Sequence, residues 1–105
     1  MKTIHFVYIT TGDEAEARRI GMALVESRLA ACVNIIDQMN AIYRWEGRVQ
    51  DGREVVLIAK TTGKNLSALK KKVIAMHSYE CPCIVCLPVT DGHEPFLEWV
   101  REQVI

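Results

Sequence analysis

The chain has 105 residues, about the size of one ordinary domain, and we treat 1–105 as a single domain. Hydrophobic residues make up 50% and charged residues 25%, a balance that suits a packed core and argues against disorder. Because 13 basic side chains balance 13 acidic ones, the net charge excludes any bulk attraction to nucleic acid or to an anionic membrane. We expect neither as a partner.

The N-terminus carries no pattern typical of export. Residues 1–5 hold one charge and lead straight into a strand-like run, without the basic, apolar and small-residue order of a secretion signal. No segment approaches the roughly 20 consecutive apolar residues that span a bilayer. We therefore expect a cytoplasmic protein, whose 4 cysteines are thiols in a reducing compartment.

The first elements in the chain are a strand and a helix. Ile4 to Thr10 is a run of β-branched and aromatic residues without a breaker, which predicts a buried strand. Asp13 and Glu16 then form a capping-box-like helix start. Apolar residues at helical spacing follow, and they leave Glu16 on the predicted outward side.

A predicted hairpin comes next. Ala31 to Ile36 and Ala41 to Trp45 are extended segments separated by a polar break. Glu46-Gly47 and Asp51-Gly52 mark the predicted connection. Glu54 to Thr61 is nearly continuous in apolar residues, as expected of a central strand.

The last third predicts helix, strand and helix. Asn65 is a candidate cap for a helix whose apolar stripe runs from Leu66 to Met76. Cys83 to Val89 is the last predicted strand. Pro95 suits the first position of a C-terminal helix.

The predicted order is β-α-β-β-α-β plus a terminal helix, the split βαβ pattern of an α+β fold. Two right-handed crossovers place both main helices on one face of an antiparallel sheet. We expect Val7 and Ile9 on the opposite, bare face, as part of an apolar patch larger than monomers usually tolerate. Association of sister copies through that face is the expected solution.

Five motifs, in order along the chain, resemble those of the CutA divalent-cation tolerance family. The family's strand-two signature is matched by Leu29-Ala30-Ala31-Cys32-Val33-Asn34-Ile35, and its Y-x-W-x-G hairpin by Tyr43-Arg44-Trp45-Glu46-Gly47. The K-T that closes its third strand is matched by Lys60-Thr61. Its H-P-Y-x-x-P segment is matched by His77-Ser78-Tyr79-Glu80-Cys81-Pro82, and its Y-L-x-W helix by Phe96-Leu97-Glu98-Trp99.

The resemblance implies a ferredoxin-like fold and a tight homotrimer similar in architecture to the PII signalling proteins. It also implies a non-enzymatic role in tolerance of copper and other divalent cations. No cofactor is required on this interpretation; the partners are sister copies and metal ions, with copper or another divalent cation as ligand. Thr10 stands where some bacterial members carry a Cys that is assigned to copper.

His77, Cys81 and Cys83 are the candidate metal ligands, because thiolate and imidazole suit Cu(I) or Zn(II). Strand alternation puts Cys86 on the other face, where a packing role is expected. The alternative for His77 is a cap at a helix C-terminus.

Two aromatics and an acid, Tyr43, Trp45 and Glu46, lie at the predicted hairpin tip. One interpretation is an anchor between subunits, since Tyr and Trp are enriched in interface cores. The other is the wall of an intersubunit pocket completed by residues of a neighbouring copy: Lys60, His77, Tyr79 and Glu80.

The sequence argues against other proteins of this fold class. A heavy-metal chaperone needs thiols after the first strand, where Thr10 to Glu14 has none, and no catalytic triad motif is present. The leading hypothesis is a trimeric metal-binding or metal-response protein. The alternative is a PII-like sensor that binds a small ligand in intersubunit clefts.

Overall fold

The computed structural model describes residues 3–105. Met1 and Lys2, which belong to the N-terminal stretch without an export pattern, lie outside the described residues. Four strands and three helices follow one another in the predicted order, with a short 3-10 turn at Gly63–Asn65 before the second helix. Their bounds are β1 Ile4–Thr11, α1 Glu14–Glu26, β2 Cys32–Trp45, β3 Arg48–Thr62, α2 Leu66–Met76, β4 Ile84–Pro88 and α3 Glu94–Gln103.

The strands form one antiparallel sheet in the order β2-β3-β1-β4. This is the arrangement that two right-handed crossovers produce, so the predicted α+β fold of ferredoxin type is confirmed. Within residues 3–105, no helix is long and apolar enough to cross a membrane.

The main core lies between the sheet and the pair α1 and α2. Val7, Ile9 and Leu57 are completely buried there, together with Ile20 of α1 and Val73 of α2. The prediction that Val7 and Ile9 lie on the bare face was therefore wrong. Alternation along a strand establishes which residues share a face, but it does not establish which face the helices cover.

The opposite face of the sheet, which we call the open face, carries the alternate residues of each strand: Phe6, Tyr8 and Thr10 of β1, Val56, Ile58 and Lys60 of β3, and Val85 and Leu87 of β4. Helix α3 covers one end of this face by packing Val100 against Ile4. Elsewhere large apolar side chains remain exposed, including Ile36 (52%), Val85 (48%) and Leu87 (52%).

Strands β2 and β3 extend well beyond the rest of the sheet as a hairpin arm, defined here as residues 39–54. The molecule is elongated accordingly, with extents of 44 × 25 × 22 Å. The hairpin closes between Trp45 and Arg48, where positive φ angles at Glu46 (50°) and Gly47 (78°) correspond to a two-residue type I′ turn.

Two predicted interruptions of strands β2 and β3 were wrong. Gly52 is paired with Ala41 inside the ladder, so Asp51-Gly52 is strand and not connection. The polar break before Ala41 is a bulge between Ile36 and Met39, where the positive φ of Gln38 (59°) absorbs the irregularity and the strand continues.

Of the two predicted helix caps, the structure contains the first and lacks the second. Asp13 caps α1 by accepting the Glu16 N–H at 2.8 Å, as predicted. Glu16, however, is only 4% exposed and does not face solvent. Asn65 makes no capping bond; its amide instead donates to Thr62 Oγ1 and to the Ile105 carbonyl, both at 3.0 Å, because residues 63–65 already form a turn.

Helix α1 approaches the sheet most closely at Gly21. A Cβ there would lie 2.9 Å from Val33 Cγ2 and 3.3 Å from Leu57 Cδ1. We expect Gly21→Ala to lower the free energy of unfolding by about 1–2 kcal/mol, because overpacking against a stiff valine outweighs the helix propensity of alanine. Urea denaturation measures this change. In a Val33→Ala background the same substitution should become neutral or stabilising, and an equal loss in both backgrounds would contradict the steric cause.

Candidate functional site

A cavity of about 690 Å³ lies between the hairpin arm and the segment that follows α2. Its walls come from three parts of the chain: Tyr8 and Thr10 of β1, residues of the arm, and residues 79–83. The arm contributes Tyr43, Trp45 and Glu54 among others. The structure thus brings together six of the predicted site residues in one place: Tyr43, Trp45, Tyr79, Glu80, Cys81 and Cys83.

His77 fixes the start of the 79–83 segment. Its side chain is fully buried, its Nε2–H donates to the Thr10 carbonyl at 2.7 Å, and its Nδ1 accepts the Tyr79 N–H at 3.0 Å. Because Nδ1 accepts a backbone N–H, the proton of the bond to Thr10 is assigned to Nε2. His77 therefore ties the segment to the end of β1.

Glu16 holds Ser78, the residue just before the segment. Its carboxylate accepts the Ser78 N–H at 2.7 Å through one oxygen and the Gly12 N–H at 2.9 Å through the other. Burial by itself raises the pKa of Glu16, but the hydrogen bonds from Gly12 and Ser78 outweigh burial and hold that pKa below its ordinary value of 4.5. The carboxylate is thus ionised at neutral pH.

Tyr79 joins the segment to the arm. Its hydroxyl donates to Glu54 Oε2 at 2.8 Å, and its ring packs against that of His77 with centroids 4.7 Å apart. Burial raises the pKa of Tyr79, and the Glu54 carboxylate raises it further by accepting the phenolic proton. Tyr79 is therefore a neutral hydrogen-bond donor in one wall of the cavity.

The cysteines divide between the cavity and the core. Cys81 is exposed and Cys83 is half-buried, and both line the cavity. Cys86 pairs with Val7 and packs against the main core, on the opposite face as expected from alternation. All four thiols, Cys32 included, are free.

Two of the predicted interface residues lie away from the cavity. Glu46 occupies the hairpin turn itself. Lys60 lies at the other end of the open face, with its Nζ 5.5 Å from the centre of the Phe6 ring and 5.7 Å from that of Phe96. Burial raises the pKa of the neighbouring Cys32 thiol, and Lys60 opposes that effect.

This fold and this placement of motifs match a known family. A family model described as CutA1 divalent ion tolerance protein covers residues 5–103 of the chain. The chain belongs to the CutA1 family.

Relatives with curated names support the assignment. The divalent-cation tolerance protein CutA of Thermus thermophilus is 48% identical over 96 residues, which are 91% of this chain and 93% of the relative. The human protein CutA is 39% identical over 100 residues, 95% of this chain but 56% of the human protein. The chain thus spans little more than half of that longer relative. The prokaryotic relatives carry the name of tolerance proteins rather than of enzymes.

Solved structures of CutA1 proteins have the same fold. That of Thermus thermophilus superimposes with a TM-score of 0.93 at 45% identity and covers 100% of both chains. That of Archaeoglobus fulgidus, described as a periplasmic divalent cation tolerance protein, has a TM-score of 0.93 at 39% identity over 97% of this chain and 99% of its own. These comparisons favour the tolerance family over the alternative hypothesis of a PII-like ligand sensor.

The predicted metal ligands differ in what they offer an ion. Both ring nitrogens of His77 are already hydrogen-bonded, so coordination would require one of these bonds to break. Cys81 and Cys83 have no such restriction. Within residues 3–105, no group of three or more His, Cys, Asp or Glu side chains is placed to hold an ion. Within one chain the two thiols are better placed to bind a metal ion than His77 is. Two thiols alone leave the coordination of that ion incomplete.

Sequence reasoning missed three residues that shape the site. Glu16 was predicted to face outward, yet it holds Ser78, 62 residues further along the chain. In the sequence Glu54 only begins a strand and Thr10 only marks the place of a missing thiol. In the structure Glu54 accepts the Tyr79 hydroxyl, and the Thr10 carbonyl accepts the His77 Nε2–H. A lone acid in the first turn of an otherwise ordinary helix gives no signal of such a distant partner.

Proposed function

We propose that the chain is a divalent-cation tolerance protein that works as a homotrimer and binds metal ions, copper among them, without catalysing a reaction. Membership of the CutA1 family supports the tolerance role. The observation that carries the metal-binding part is the pair of accessible thiols, Cys81 and Cys83, in a cavity at the margin of the open face. The compartment proposed for this role is the cytoplasm.

The exposed side chains of the open face support assembly. Val85, Leu87 and Ile36 lie side by side with the partly buried Tyr8 and Ile58 across the four strands. Such a contiguous apolar surface is typical of a subunit interface. Phe96 and Trp99 of α3, both 39% exposed and stacked on each other, extend it.

Assembly also supplies what metal binding needs. Two thiols from one chain leave a tetrahedral Cu(I) or Zn(II) site unfilled. A neighbouring copy packed on the open face brings further side chains to the mouth of the cavity. Tyr43, Trp45 and Glu46 of the arm, with Lys60, Tyr79 and Glu80, are the interface residues on this proposal.

Zinc titration by calorimetry tests the role of the thiols. We expect Cys81→Ser combined with Cys83→Ser to weaken Zn(II) binding by at least tenfold, because serine oxygens are poorer ligands for Zn(II) than thiolates are. Cys86→Ser is the matched control and should leave binding unchanged, since that thiol packs against the core. Unchanged binding in the double variant would refute the thiol site.

A further inference from the structure

We propose that the cavity between the hairpin arm and residues 79–83 binds a small organic cation of the alkylammonium class. This site is independent of the thiol site of the proposed function, although the two share a wall. Three features of the cavity favour such a ligand: the charge of its lining, the aromatic rings in its wall and its size.

The charged lining is entirely acidic. Glu54 and Glu80 both face the cavity, while the lining drawn from residues 3–105 includes no Lys, Arg or His. Lys60 lies away from the cavity, over Phe6, and the guanidinium of Arg44 in the arm donates to the Gly47 carbonyl. An acidic lining of this kind concentrates positive charge and repels anions.

Four aromatic rings form much of the remaining wall: Tyr8, Tyr43, Trp45 and Tyr79. The faces of such rings attract cations, and several rings around one volume are the usual recognition site for quaternary ammonium groups. The Tyr79 hydroxyl donates to Glu54, which keeps this phenol neutral and orients its ring. A hydrated metal ion would gain little from these rings, whereas an alkylammonium ion loses little hydration when it contacts them.

The size of the cavity also fits an organic molecule. Its volume of about 690 Å³ lies within the range of small-molecule sites. A bare ion would fill a small part of it, and the described residues supply no cluster of ligands to hold one. A sister copy on the open face would close the mouth and strengthen each interaction by excluding water.

Calorimetry with choline chloride tests the proposal on the full chain. The matched probe is 3,3-dimethyl-1-butanol, which has the shape of choline and no charge. We expect choline to bind and the neutral alcohol to bind at least about tenfold more weakly, as cation–π and carboxylate attraction require. Equal binding of both probes, or no choline binding up to roughly 50 mM, would overturn the proposal, since several desolvated cation–π contacts acting together should give a dissociation constant below that concentration.

Variants locate the binding. Glu54→Gln combined with Glu80→Gln should weaken choline binding about tenfold or more, while the amide oxygen introduced by Glu54→Gln still accepts the Tyr79 hydroxyl. Glu26→Gln on the exposed side of α1 is the control and should have no effect. Melting curves verify that each variant is folded. The double variant binding choline as tightly as the parent would refute this site.

The same titrations separate this inference from the proposed function. The Cys81→Ser, Cys83→Ser variant should lose Zn(II) binding and keep choline binding. Loss of choline binding in that variant would place choline on the thiols and refute the aromatic site. A parent chain that binds choline but does not bind Zn(II) would refute the metal role and leave the choline site intact.

Discussion

Replacing Glu16 with alanine is expected to lower the free energy of unfolding by roughly 3 kcal/mol, because the change leaves two N–H donors without an acceptor. The donors are those of Gly12 and Ser78, 2.9 and 2.7 Å from the carboxylate oxygens. The carboxylate is almost completely buried, so water replaces it poorly. Equilibrium denaturation in urea measures the loss.

The pH dependence of the free energy of unfolding shows whether the charge of Glu16 or only its shape stabilises the fold. The pKa of Glu16 is lowered on folding, so the carboxylate stabilises the fold fully above the ordinary value of 4.5. That stability is lost as the pH falls through the lowered pKa of the folded state. Glu16→Gln keeps the shape of the side chain but turns an amide donor toward one of the two backbone N–H groups. The loss of unfolding free energy that it causes relative to the parent should become smaller below pH 4.5.

Glu14→Ala is the matched control for both measurements. Glu14 lies in the same first turn, but it is exposed and pairs only with Arg18 at 3.1 Å. We expect it to cost no more than about 1 kcal/mol, as surface ion pairs usually do. If Glu14→Ala costs as much as Glu16→Ala, the buried hydrogen bonds are not the cause.

Local patterns predicted the elements because each depends on near neighbours in the chain. The Asp13 cap and the Glu46-Gly47 turn satisfy or bend the backbone within a few residues, so composition alone reveals them. Asp51-Gly52 has the same composition as a turn and yet lies in a ladder, because the opposite strand continues past it. Pairing over that distance is not visible in the local sequence.

The candidate site was predictable only in part for the same reason. Tyr43, Trp45, Tyr79, Glu80 and Cys81 were found because the family motifs contain them, and the structure brings them to one cavity. The bonds that shape it join residues far apart in the chain, such as Glu54 to Tyr79 and Glu16 to Ser78. These contacts depend on how α1, the arm and the segment after α2 meet, which no periodicity encodes.

The assembly of the chain can be tested by placing charge on the open face. Light scattering on the parent at micromolar concentration should give three times the subunit mass of 11.9 kDa. With Val85→Lys and Leu87→Lys together, we expect the mass of a single subunit. Each substitution replaces apolar burial worth about 1.5–3 kcal/mol with an ammonium whose desolvation costs several more.

The control is an apolar-to-lysine substitution at a side chain that is about equally exposed but lies on the other side of the sheet. Ile74→Lys qualifies, because Ile74 is 57% exposed on α2, which packs on the other side of the sheet, while Leu87 is 52% exposed. The chain folds around the core beneath α1 and α2, so lysines on the open face should separate the subunits without unfolding them. Ile74→Lys should remain trimeric. A parent protein of single-subunit mass would refute the trimer, and trimers that survive Val85→Lys with Leu87→Lys would place the interface elsewhere.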